Sequence, residues 1–467
     1  MSKTTQQAAV LRQLFERAIG LHQRGQLKEA EQAYLHILQL EKGHFEARHL
    51  LGVLRGQQGR HQEALELIGA ALKARPDWVG ALANYGLVMQ KLGRHEDALM
   101  YQDRALALQP DYFEALNNRG NVLAELRRYE EALVSYERAL ARRPRFAETL
   151  KNRGNALAAL GRHHEALRSY DLALAARPDY PEALNNYASV LAALDRYEEA
   201  LAIFDRALKL APTYAEALNN RGNALSKLTR YQDALSSYER ALAARPGYAD
   251  AFYNQGNALA ELKQHEAALD AYDQALAVRP DYVAALDNRG NVLLQLRRYE
   301  EALASFDRAL EIMPEDVEGL NGRANVLQEL LRYEEALANY DKALSISADD
   351  AHVHYNRGVA LQHLNRLDEG LASYDRALAM KPDHVQALYN RGNVLHATNR
   401  LQQAEQSYSQ ALALKPDYAE AKFASCMAQL PVLYKDEAEI ATRRVAYRSA
   451  SERYAKMSTE QRRPNWL

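Results

Sequence analysis

The stretch Phe113–Phe146, FEALNNRGNVLAELRRYEEALVSYERALARRPRF, is restated by its neighbours at a fixed spacing of 34 residues. It holds two apolar runs, Leu116, Gly120, Leu123 and Leu126, then Tyr129, Ala132, Leu133, Tyr136, Ala139 and Leu140. Each recurs at steps of three and four, which puts its members on one face of a helix. Pro144 closes the unit by removing a backbone donor and disfavouring helix in the residue before it. A lone helical hairpin of this size cannot bury both stripes, so the unit must stack on copies of itself, as a solenoid does.

The frame runs without insertion from Leu11 to Tyr418. Its twelve copies start at 11, 45, 79, 113, 147, 181, 215, 249, 283, 317, 351 and 385. The eighth position is small, as in Gly52, Gly120, Gly154, Gly222, Gly290 and Gly392, with Ala18, Ala188 and Ala324 in other copies. Glycine inside a helix costs roughly 0.5–1 kcal/mol against alanine, so close helix packing is its expected reason. Alanine recurs at the twentieth position, with Gly370 the exception. The twenty-fourth is aromatic except at Ile68 and Gln102. Asp77, Asp111, Asp179, Asp281, Asp383 and Asp417 follow the closing proline and are expected to cap the next first helix. Lys42 and Ala348 stand where the proline would be, so looser turns are expected there.

Residues 1–10 read as a polar lead. After Tyr418 the pattern stops: residues 419–457 are expected to form a cap that begins like a thirteenth first helix, then a charged helical extension from about Asp436 to Lys456, and 458–467 form a tail. The cap puts Cys426 where the small residue belongs.

The small, aromatic, alanine and proline positions at period 34 resemble the tetratricopeptide-repeat (TPR) family. That resemblance implies an all-α fold, a right-handed superhelix of twelve helix-turn-helix repeats whose first helices line a concave groove, with a C-terminal cap and helical extension.

Lys and Arg number 59 against 61 Asp and Glu, a net charge of −2. Neither nucleic acid nor a membrane is therefore expected as a partner. No run reaches the ~18 apolar residues of a membrane span, and the start has no apolar signal core. The single cysteine, Cys426, excludes an intrachain disulfide and suits a reducing compartment, so a cytoplasmic location is expected. The fourteen histidines are scattered, and pairs such as His163 with His164 or His352 with His354 lack ligand spacing. The glycines of NNRGN lie inside a helix rather than in a phosphate-cradling loop. No metal, cofactor or catalytic set is expected.

The recurring polar feature is a pair of asparagines. The sixth position holds Asn84, Asn118, Asn152, Asn186, Asn220, Asn254, Asn288, Asn356 and Asn390; the ninth holds Asn121, Asn155, Asn223, Asn257, Asn291, Asn325 and Asn393. Three residues apart, they share one helix face. If that face lines the groove, the amides form a ladder that grips the backbone of an extended peptide whatever its side chains. Alternatively, the same amides bond neighbouring helices to each other and set the twist; the sequence leaves both open.

Arginine at the seventh position (Arg119, Arg153, Arg221, Arg289, Arg323, Arg357, Arg391) departs from the apolar residue usual in the family. Its stem is expected to cover apolar surface while its head reaches water. Some family members clamp a terminal carboxylate with basic side chains on three successive first helices. Lys151, Asn155 and Asn186 would fit three of those places, but Glu216 and Asn220 occupy the basic ones, so no such clamp is expected.

Two function classes follow. One is a non-catalytic scaffold that binds protein or peptide partners in extended conformation, with a homodimer open. The other is the recognition arm of an enzyme, because the repeats running into ALALKPDYAEAKFASCMAQLPVLYKDEAEIATRRVAYRSA look like the repeat half of bacterial relatives of protein O-linked N-acetylglucosamine (O-GlcNAc) transferases. About fifty residues follow the repeats, too few to bury a two-lobed transferase.

Overall fold

A computed structural model describes residues 3–428 and 437–455, and its regular structure is α-helix. The chain divides into two compact units, Met1–Arg230 and Tyr231–Leu467. In the first, α1 (Lys3–Gln23) pairs with α2 (Leu27–Leu40), α3 (Phe45–Gln57) with α4 (His61–Ala74), α5 (Val79–Lys91) with α6 (His95–Leu108), and α7 (Phe113–Glu125) with α8 (Tyr129–Arg142). Then come α9 (Ala147–Ala159) with α10 (His163–Ala176), α11 (Pro181–Ala193) with α12 (Tyr197–Leu210), and α13 (Ala215–Lys227).

The second unit opens with α14 (Tyr231–Ala244). Its pairs are α15 (Ala249–Glu261) with α16 (His265–Val278), α17 (Val283–Gln295) with α18 (Tyr299–Ile312), and α19 (Val317–Glu329) with α20 (Tyr333–Ile346). They continue with α21 (Ala351–His363) and α22 (Leu367–Met380), then α23 (Val385–Ala397) and α24 (Leu401–Leu414). The short α25 (Ala419–Met427) packs on α24 and on α26 (Glu437–Ala455). The helices of the repeats start and stop where the 34-residue frame puts them.

The eighth-position glycine has the expected role, and the structure supplies its partner. A Cβ on Gly154 would lie 2.6 Å from the ring of Tyr170, and one on Gly120 would overlap Tyr136. Tyr136, Tyr170, Tyr272, Tyr340, Tyr374 and Tyr408 are among the largest fully buried side chains. The alanines at position twenty, such as Ala132 and Ala166, are wholly buried. In the third copy, Gln102 takes the aromatic's place against Gly86 and donates to the Ala83 carbonyl at 2.9 Å.

The turn inside each repeat carries a signal that the periodicity does not. Its fifteenth residue has positive φ in every copy, as glycine at Gly25, Gly59, Gly93 and Gly161 and as another residue at eight places, including Arg127 and Leu331. There Arg128 N–H donates to Leu123 O at 2.8 Å and Arg127 N–H to Ala124 O at 3.0 Å, a paired closure of the helix end that needs a left-handed residue. The next residue, often arginine, turns back on its own helix: Arg128 meets both oxygens of Glu131 at 2.7 and 2.8 Å.

Two expectations are corrected. The aspartate after the proline does not cap the next helix. The capping place falls one residue later, on Trp78, Tyr112 or Phe146, which make no side-chain cap bond. Asp111 pairs with Arg142 instead, while Asp316 and Asp350, one residue further on, do cap. The polar lead is helical from Lys3, since nothing between there and Leu11 breaks a helix. The turn at Lys42 keeps the closing bond, His44 N–H to Glu41 O at 3.1 Å, so loss of proline alone does not loosen it. At Ala348 the corresponding closing bond is absent among the described residues, as expected of a looser turn, and the segment is held instead by the Asp350 cap and by His354 Nε2 against the Ala348 carbonyl at 3.0 Å. Pro431 and the tail from 458 lie outside the described residues.

One buried acid breaks the pattern. Asp287 is 2 % exposed, at a frame position where other copies carry Asn117, Asn185 and Asn219. Its Oδ1 has no hydrogen-bond partner. Burial, then the neighbouring Asp316 carboxylate, pushes its acid up to about 8. Its contribution to stability is therefore complete below the ordinary carboxylate range and is lost as pH rises through about 8. Asp287→Asn should raise the melting temperature by a few degrees, with a gap over the parent that widens from pH 5 to pH 8.5 in calorimetric scans.

Candidate functional site

Within each unit the first helices of successive repeats touch one another: α3 with α5, α5 with α7, α7 with α9, α9 with α11 and α11 with α13, then α15 with α17, α17 with α19, α19 with α21 and α21 with α23. Among the described residues no pair of second helices is joined to the same extent. First helices thus form a continuous layer in each unit, and the asparagines stand on it. Asn155 and Asn291 are exposed; the other asparagines of the predicted ladder are half-buried.

The amides are tied to one another by a repeating rule. Asn121 Oδ1 accepts the Tyr136 hydroxyl at 3.0 Å and Asn152 Nδ2 at 2.8 Å. Asn155 accepts Tyr170 and Asn186, both at 2.8 Å; Asn257 accepts Tyr272 and Asn288, both at 2.8 Å; Asn325 accepts Tyr340 at 2.7 Å and Asn356 at 3.0 Å. Two donors on one atom identify it as the carbonyl oxygen and fill both its lone pairs. Burial raises the Tyr136 and Tyr170 phenols, which keeps them protonated donors. Each such ninth-position amide retains its two N–H groups, and Asn152, Asn186 and Asn356 each retain one, whereas Asn288 spends its second on the Tyr253 hydroxyl at 3.2 Å.

Departures follow the sequence. Asn84 meets Nε2 of His49 at 3.0 Å, an imidazole that burial brings down to about 4 and so keeps neutral. Asn220 donates to Asn185 Oδ1 at 3.1 Å and Ser189 Oγ at 3.4 Å. Asn390 reaches the Tyr355 hydroxyl at 3.3 Å, and Asn393 accepts Tyr408 at 2.9 Å. Asn223 and Asn254 occupy the ninth and sixth places of the seventh and eighth copies. Two amides have no side-chain hydrogen bond among the described residues. Asn118 has Leu87 where its acceptor would be, and Asn291 has Phe306 for tyrosine in its own copy and Gly322 for asparagine in the next.

The seventh-position arginines differ from expectation: their heads are held rather than solvated. Arg119 donates to Asp103 at 2.6 Å on the previous repeat and to Ser135 at 2.7 Å on its own. Arg289 does so with Asp273 and Ser305, Arg357 with Asp341 and Ser373, and Arg391 with Asp375 and Ser407. The arginine side chains are 22–25 % exposed and their aspartate partners 50–52 %, so each pair runs from the half-buried layer out to the surface. Clefts of about 450 and 560 Å³ on the second-helix side include Asp273 with Arg289 and Asp375 with Arg391, groups already committed to each other. Only the spacing of Asp103, Arg119 and Ser135, 16 residues either way, signals this clamp in the sequence.

Family models of the tetratricopeptide repeat match residues 78–145 and 179–247, 219–282 and 363–419, 283–316 and 147–180, and a TPR repeat model matches 332–365. Together they span 78–145, 147–316 and 332–419, more than half of the chain. The chain belongs to the tetratricopeptide-repeat family. No curated protein matches it. Among solved structures, the APC/C hetero-tetramer Cut9-Hcn1 is similar with a TM-score of 0.50 at 14 % identity, over 92 % of this chain and 96 % of that one, a likeness of fold. YrrB, titled a TPR protein with an unusual peptide-binding site, is 25 % identical over 41 % of this chain and 98 % of its own, with a TM-score of 0.35. Among the described residues, no helix is long and apolar enough to cross a membrane.

The two kinds of asparagine separate in stability. Asn121→Ala strands the Tyr136 hydroxyl and should lower unfolding free energy by about 1–3 kcal/mol, whereas Asn291→Ala should leave the urea midpoint unchanged.

Proposed function

We propose that this chain is a non-catalytic scaffold that holds partner polypeptides in extended conformation against its first-helix layer. The observation that carries this reading is the unspent hydrogen-bonding capacity of the asparagines. Once Tyr136 and Asn152 fill the Asn121 carbonyl, its Nδ2 protons remain, and Asn118 and Asn291 keep whole amides. Touching helices sit about 8–10 Å apart. An extended chain rising ~3.3 Å per residue would therefore meet one such group about every three residues. Binding through its backbone leaves side-chain choice to other features of the surface. A cytoplasmic place of work suits the single, buried Cys426.

Random thirty-residue peptides displayed on phage should yield binders to the full chain. The double variant Asn118→Ala, Asn291→Ala should bind them about threefold to tenfold more weakly, at ~0.5–1.5 kcal/mol per lost bond, with its melting temperature unchanged. Unaltered affinity for the selected pool would make the asparagines purely structural.

A second reading, a recognition arm for an O-GlcNAc transferase-like enzyme, rests on the likeness of the segment after Ala411. On the scaffold reading, calorimetric titration with uridine-diphosphate N-acetylglucosamine gives no binding heat; a saturable isotherm would favour the enzyme-arm reading.

A further inference from the structure

The asparagine rule fails in the second and third repeats, and the failure leaves a hole. In the fourth, fifth, eighth and twelfth repeats a tyrosine at position twenty-four runs from the core, past the eighth-position glycine, to the ninth-position amide, as Tyr136 does from Gly120 to Asn121. In the second repeat that place belongs to Ile68, which is fully buried and ends against Gly52. The ninth positions here are Val53 and Leu87, both half-buried. A cavity of about 370 Å³ remains between α3, the start of α4 and α5, walled by Val53, Gly56, Ile68, Leu87 and Val88.

Its rim is polar, with Gln57, whose Oε1 meets His22 Nε2 at 2.9 Å, among the lining residues. Lys91 is exposed and has no carboxylate partner among the described residues, and His61 lines the pocket with a buried Nδ1 that has no hydrogen-bond partner. Asn84, also at the rim, is spent on His49. Because Val53 and Leu87 hold the frame position of Asn121 and Asn155, the cavity opens on the face that carries the asparagines.

We infer that this pocket is a specificity site: it takes one aromatic or leucine side chain of the groove-bound peptide, with an adjacent acidic residue pairing to Lys91. Backbone-gripping amides cannot choose among sequences, whereas a single apolar socket beside a lone cation both selects a residue and sets the register of everything beyond it. The size suits the task, since the socket lies at the small end of the 300–1,000 Å³ range of ligand pockets. This inference rests on the scaffold reading above.

The test compares the full chain with Ile68→Tyr and with Ile68→Phe, which places a ring between Gly52 and Ala64 as Phe306 sits between Gly290 and Ala302, without the hydroxyl that Val53, unlike Asn121, cannot bond. Thirty-residue display libraries selected on the parent should be enriched in Phe, Tyr, Trp or Leu beside Asp or Glu at one shared position. Replacing that apolar residue by alanine should weaken binding tenfold or more. Ile68→Tyr and Ile68→Phe should each erase the preference, and Lys91→Ala should erase only its acidic half. In methyl spectra, N-acetyl-phenylalanine amide should shift the Ile68 methyl saturably. If peptides bind and respond to Asn118→Ala, Asn291→Ala but show the same profile on Ile68→Tyr and Ile68→Phe, or if the Ile68 methyl does not move, the pocket is overturned and the scaffold reading stands. If no peptide binds at all, both fall.

Discussion

Where a repeat has both residues, its structure turns on one contact, the aromatic ring at position twenty-four laid across the glycine at position eight. With no Cβ on Gly120 or Gly154, the first helix comes close enough for the ring to be sealed from water, a burial of the kind that dominates core energetics. The same ring carries its hydroxyl outward to the ninth-position asparagine. That asparagine accepts in turn from the sixth-position asparagine of the next repeat. Core packing, the order of the amides and the docking of neighbours are thus consecutive links of one chain of contacts. Where the ring is absent the chain breaks, and the break at Ile68 opens a socket.

The polar surface obeys a similar economy. Asp103, Arg119 and Ser135 join three helices of two repeats, leaving little charge free on the second-helix side. Arg143 lies over the Phe113 ring at 4.1 Å and Arg279 over Tyr282 at 4.1 Å, so cations near the ends of second helices also pack on rings of their own repeats. A nearly neutral chain can therefore carry 59 basic and 61 acidic residues with many of them serving as internal fastenings.

How much of this was legible in the sequence depends on the range of the interaction. Helix positions, the role of Gly120 and the burial of Ala132 follow from period and residue size, and the structure has them as read. The asparagine face was legible too, because Asn118 and Asn121 lie three residues apart on one helix. Their partners were not: Tyr136 stands 15 residues from Asn121 and Asn152 stands 31, distances that only the folded hairpin closes. Capping failed for a different reason. The aspartate after proline is a local signal for a helix start, but the turn sets the first helical residue two places on, so Asp111 meets Arg142 instead. The left-handed residue at position fifteen escaped notice because eight copies do without the glycine that would announce it.

The bonds within and between repeats recur at separations of 15, 16 and 31 residues, all defined by a 34-residue ruler. Adding or removing one residue inside a copy would misalign the fastenings on both sides of it. Duplicating or deleting a whole copy restores each separation at the new joint. Molecules of this design can consequently change length in whole steps, by recombination between like segments of their own gene, and the reach of the binding surface becomes a matter of copy number rather than of new sequence.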